Sequence, residues 1–82
     1  MQGYSPDYRR REHLLKRLRS ADGPPYDLLC GEVADAFPAR KPYWAGVQAV
    51  RAVRDLLWDE LATVDECGAV WLLPAGWKAS GG

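Results

Sequence analysis

Between Tyr43 and Leu73 the chain reads YWAGVQAVRAVRDLLWDELATVDECGAVWLL, and the spacing of its apolar residues changes once. Up to Leu61 the period is helical. On a 3.6-residue wheel Gly46, Val50, Val53, Leu57 and Leu61 gather on one side, and Gln48, Arg51, Asp55 and Asp59 on the other. This predicts a long amphipathic helix with the first set turned to the core. Beyond Leu61, ATVD and AVWLL are short and rich in β-branched and apolar residues. They are split by Asp65-Glu66-Cys67-Gly68, a loop ending in the residue that accepts positive φ most cheaply. The prediction is a β-hairpin with Val70 and Leu72 inward and Ala69, Trp71 and Leu73 on the other face.

Two shorter helices are expected upstream. Ser5-Pro6-Asp7 is a good helix start: a hydroxyl for the orphan N–H groups, a proline at the first helical position and an acid at the positive end of the dipole. That helix should run to about Ser20, with Tyr8, Leu14, Leu15 and Leu18 inward and Arg9, Arg10, His13, Lys16 and Arg17 outward. Ala21-Asp22-Gly23-Pro24-Pro25 is a rigid turn. Asp27 is the expected N-cap of a second helix from Leu28 to about Ala36, with Leu29, Val33 and Phe37 inward. Its small Cys30 and Gly31 would let it cross a neighbour closely. Pro38 ends it, and Ala39-Arg40-Lys41-Pro42 turns into the long helix. Pro74-Ala75-Gly76-Trp77 opens a tail too short for a stable helix of its own. Residues 1–4 and 78–82 are expected to be loose.

Composition narrows the class more than the function. Eighty-two residues make one domain, which buries only about 60% of its unfolded surface. No apolar run is long enough to cross a bilayer and no signal-like start is present, so a soluble, cytoplasmic protein without a membrane partner is expected. Arginine and alanine are abundant, as in GC-rich bacterial or phage genomes. Cys30 and Cys67 lie far apart with no companion histidines, which indicates neither a zinc site nor a disulfide framework; both are expected to be buried or half-buried free thiols, and no metal or cofactor is expected. Net charge is zero but segregated. Six basic residues face two acids between Pro6 and Ser20, whereas three basic residues face five acids from Pro42 onward.

The order of elements, and the segment RDLLWDELATVDECGAVWLLPAG in particular, resembles the winged helix-turn-helix family of MarR-like and related small bacterial or phage regulators. Leu57 and Leu61 match the apolar end of the family's recognition helix. Val64, Asp65 and Gly68 match the wing turn, while Val70, Leu72, Pro74, Ala75 and Gly76 match the second strand and the Pro-Ala-Gly step after it. The resemblance implies an α+β, mostly α fold: three helices followed by a two-stranded hairpin wing. Leu73 stands where the family has a capping Thr or Ser, which predicts no further helix. The chain stops at Gly82, before the family's long dimerisation helices, so dimerisation by that route is not expected. Asp65 and Glu66 occupy a wing tip that often carries Arg or Lys, which argues against a wing that grips phosphate.

The function this implies is sequence-specific binding of double-stranded DNA by a transcriptional regulator, with the third helix in the major groove. Arg40 and Lys41 would contact phosphates. Tyr43, Trp44, Gln48 and Arg51 would face base edges, where Gln can pair with adenine and Arg with guanine. Arg54 would lie at the margin. Neutral overall charge leaves little non-specific affinity, so an operator would be read by a homodimer or within a larger assembly. The alternative is a protein-interaction module on the same fold. Trp44, Arg51 and Trp58 are seven residues apart, on the side opposite the stripe of Gly46, Val50 and Val53, and Trp and Arg are enriched at binding hot spots. Against that, large aromatics are scarce core material, and Trp58 is ordinarily expected to be covered by the hairpin or by Trp77. An enzyme is the least favoured class: His13 is the only histidine, and no nucleophile has an evident base.

Overall fold

The computed structural model describes residues 6–81. Its elements are α1 (Pro6–Leu18), α2 (Tyr26–Ala36), α3 (Pro42–Trp58), β1 (Ala62–Val64), β2 (Val70–Leu72) and α4 (Pro74–Ala79). The architecture is α+β and mostly helical. The expected cap at Ser5 lies outside the described residues.

Leu14, Leu15 and Leu18 of α1 meet Leu29, Cys30 and Val33 of α2 and the inner face of α3 in one core, closed below by Leu61, Ala62 and Val70. Two expectations on α1 are reversed: Tyr8 is exposed and Arg10 is buried, at 6% exposure. Arg10 is one and two turns ahead of Leu14 and Leu18, so its stem follows the inward stripe. Its guanidinium lies 5.6 Å from the centre of the Phe37 ring. The second helix starts at Tyr26 rather than Leu28, and Asp27 falls in its first turn instead of capping it. Gly31 is not at a close crossing, since a Cβ there would meet nothing within 4 Å.

The largest correction concerns α3. Its buried residues are Ala45, Ala49, Ala52, Val53 and Leu56. Val50 is exposed, Gly46 and Leu57 are half-buried, and the inward face is turned by about one residue's rotation from the one the aliphatics mark. Bulky leucines on α1 and α2 fill the space between helices, so α3 presents alanines there to maintain close packing. The helix also stops at Trp58, three residues early. Leu61 N–H donates to the Leu56 carbonyl (3.0 Å) and Glu60 N–H to that of Leu57 (3.1 Å), with Glu60 at φ 60°. This is a Schellman ending, with Glu60 in the left-handed position usually held by glycine.

The strands pair antiparallel, with Ala62 opposite Leu72, Thr63 opposite Trp71 and Val64 opposite Val70. Gly68 has the expected positive φ, 84°. A short bridge between Pro25 and Ala69 ties the α1–α2 turn to the hairpin. Its bonds are Tyr26 N–H to the Gly68 carbonyl and Val70 N–H to the Pro24 carbonyl, both 2.9 Å. The tail is helical after all. Leu73 gives α4 no side-chain cap, but Pro74 supplies the first-turn φ and Leu73 N–H bonds the Leu61 carbonyl at 2.9 Å. Gly76 holds α4 in place because any Cβ there would collide with the Leu61 carbonyl. Ser80 and Gly81, expected to be loose, bond back to Gly76 and Lys78.

Candidate functional site

The outward face of α3 is the part of the surface that packing leaves unexplained. Turning the core face onto Ala45, Ala49 and Leu56 directs Tyr43, Trp44, Val47, Val50, Arg51, Arg54 and Trp58 to solvent. Tyr43 is 63% exposed and Trp58 87%, so the expected cover from the hairpin or Trp77 does not exist. The rings of Tyr43 and Trp44 lie 5.0 Å apart at 41°. Of the seven residues proposed to read DNA, Arg40, Lys41, Tyr43, Trp44, Arg51 and Arg54 are exposed and Gln48 is half-buried. They spread across α3 rather than forming one narrow strip: Tyr43 and Arg54 lie toward the α2 side, Trp44 and Gln48 are rotated away from them, and Arg51 lies between.

Charge is sorted along this helix. From Ala39 to Arg54 the chain has four cations and no acid. Among the described residues none of the four is in an ion pair, whereas Arg11 is held by Asp59 and Arg17 by Asp22 and Glu32. Acids come at once after them: Asp55 is in the last turn of α3, Asp59 and Glu60 follow its end, and Asp65 and Glu66 sit on the hairpin loop.

Asp65, which in the sequence reads only as a charge on the tip, builds the loop. Its Oδ1 accepts the N–H groups of Cys67 (2.9 Å) and Ala69 (3.0 Å), and its Oδ2 accepts Trp71 Nε1–H at 2.9 Å. The Trp71 bond, then those from the backbone, hold its carboxyl below the usual aspartate range.

On the side of α3 that faces α2 an open groove of about 530 Å³ runs between the helices. Cys30, Gly31 and Ala34 form one wall and Gly46, Val47 and Val50 the other, with Arg51 and Arg54 on the rim. Burial pushes the Cys30 thiol up from its ordinary value, which keeps it neutral in that wall. Cys67, by contrast, is exposed rather than half-buried. The groove is hidden in the sequence because aliphatic spacing puts Gly46 and Val50 in the core; Ala45-Ala49-Ala52-Leu56, at spacings of four, three and four, is the available signal. A second cluster sets Arg9, Arg10 and His13 of α1 around Phe37, with His13 edge-on at 5.5 Å.

Compared with protein-family models, with curated proteins and with solved structures, the chain has no match in any of the three. No helix among the described residues is long and apolar enough to cross a membrane.

Proposed function

We propose that the chain is a winged-helix domain that binds duplex DNA through the N-terminal two-thirds of α3 and the turn before it. The observation that carries this reading is the run from Ala39 to Arg54: four cations without an acid among them, exposed and without an ionic partner among the described residues. Arg40 and Lys41 flank the α3 N-terminus, where the helix dipole also favours a phosphate. Arg51, and Gln48 beside it, are the candidates for base edges. The acidic loop tip confines phosphate contact to α3 and its turn, which suits a modest affinity and a small footprint.

The test is selection from random duplexes, then titration in salt. An enriched sequence is expected, with Arg51→Ala losing about 1–3 kcal/mol of discrimination at one position. Lys41→Ala should weaken all sequences alike and reduce the salt slope by about 0.9. Selection that enriches nothing, with no salt-dependent binding, overturns the reading. One observation, the 87% exposure of Trp58, favours the second reading: a protein-binding face of Trp44, Arg51 and Trp58.

A further inference from the structure

The outward ridge of α3 has the wrong composition for a face that meets only water or nucleic acid. Tyr43, Val47, Val50, Arg54 and Trp58 recur every three or four residues, the spacing of a seam between helices. Contiguous exposed apolar surface of this kind marks an interaction site.

The two ends of that ridge are complementary to each other. One end is the groove beside α2. Gly31 and Gly46 leave it open, since a Cβ at either would meet nothing within 4 Å. Arg51 and Arg54 stand on its rim, and no acid lines it. The other end is Trp58, a bare indole with Asp55 and Glu60 close by in sequence, neither of them in an ion pair among the described residues. Asp59 between them is taken by Arg11 at 2.8 Å. An apolar hollow edged by two guanidiniums and an apolar knob with a carboxylate before and after it in sequence therefore sit on α3 and the turn that ends it. The knob cannot fold into the hollow of its own chain, since one rigid helix carries both, with about 12 Å from Trp58 back to Val50 and about 16 Å to Val47.

We infer that the occupant of the groove is the Trp58 end of α3 from a second copy of this chain. Because each copy has one knob and one hollow, reciprocal docking closes as a two-fold dimer with the same patch on both sides. Burying an aromatic anchor in a pocket of small residues, ringed by opposite charges, is the arrangement of an interface hot spot. The dimer also covers Arg51 and Arg54, so self-association and DNA binding by α3 exclude one another.

The experiment is sedimentation equilibrium of the full chain without nucleic acid, so its outcome does not depend on the DNA reading. The wild type is expected to show a reversible monomer–dimer equilibrium. Trp58→Ala removes the knob and Gly46→Leu fills the hollow, both at positions where the fold has room, and each variant alone should be monomeric. An equimolar mixture of the two should recover dimer, because Trp58 on the Gly46→Leu chain still finds an intact hollow on the Trp58→Ala chain. Circular dichroism of each variant shows that the fold is kept. A wild type that stays monomeric up to millimolar concentration, or a mixture that stays monomeric while the wild type dimerises, overturns the inference. So does saturable binding of a designed Leu/Glu amphipathic peptide in the groove of a monomeric wild type, which would assign the groove to a different acidic partner.

Discussion

Trp71 and Trp58 are both exposed indoles in the C-terminal half of the chain, yet their surroundings have nothing in common. Trp71 lies on the α1–α2 turn with its ring over Gly23, where no Cβ would fit, and donates its Nε1–H to Asp65. Around it the backbone bridge of Pro25 to Ala69, the Asp65 turn and the docked α4 use up polar groups locally. Trp58 has no such setting. It ends a ridge of valines and tyrosine whose arginines have no carboxylate partner among the described residues. Internally satisfied surface is architecture. Surface with idle cations beside bare apolar groups is where an external partner lowers the free energy.

That contrast is sharpest within α3 itself, where Leu56 is 1% exposed and Trp58 is bare. Leu56→Ala should cost roughly 2–5 kcal/mol, a large part of the total for so small a domain. Trp58→Ala should change the stability of dilute protein by no more than about 0.5 kcal/mol. Urea denaturation at micromolar concentration measures both. Equal losses would mean that Trp58 is held by the fold, and the contrast between the two indoles would collapse.

The same residues show what is legible in the sequence. The leucines of α1 and α2 stand at helical spacing among charges, so Leu14, Leu15, Leu18, Leu29 and Val33 are recognisable as core directly, and the Gly68 turn marks the hairpin. The face of α3 is not legible from hydrophobicity alone. Its aliphatics Val50 and Leu57 outweigh Ala45, Ala49 and Ala52 on any scale, yet it is the alanines, with Val53 and Leu56, that pack against the leucines of α1 and α2. Which residues reach the interior is thus set by the neighbouring helices, information that no local window contains. The same rotation hides the groove, and with it half of the candidate site. The α4 helix escapes sequence reading for a related reason: its stability comes from docking on Leu61 and Leu72, not from a cap.

A smaller effect separates the two indoles by pH. Asp65 has its carboxyl held below the ordinary value near 4 by hydrogen bonds that exist only in the folded hairpin. Its contribution is therefore complete above the unfolded-state value and is lost as pH falls through the folded one. As pH falls below the ordinary aspartate range the Trp71 indole N–H should lose its protection from hydrogen exchange, while that of Trp58 stays unprotected throughout. Asp65→Asn should flatten the Trp71 response. If the Asp65→Asn protein keeps the full pH dependence, the loop is responding to overall charge and not to this carboxylate.

The smallest expected effect is a gain. Glu60 occupies the left-handed ending of α3 at φ 60°, a conformation that crowds Cβ against the next carbonyl by about 1–2 kcal/mol for an L-residue. The two bonds that close the helix come from backbone N–H groups of Glu60 and Leu61, so the side chain itself is not needed for them. Glu60→Gly removes the crowding but gives the unfolded chain more freedom to lose, for a net stabilisation of about 0.5–1 kcal/mol. It also removes one of the two carboxylates beside Trp58. The variant should therefore melt higher while dimerising more weakly, two readouts that move in opposite directions only if Glu60 belongs both to the strained end of the helix and to the partner-seeking face. A variant that gains stability with undiminished self-association would restrict the acidic side of the knob to Asp55.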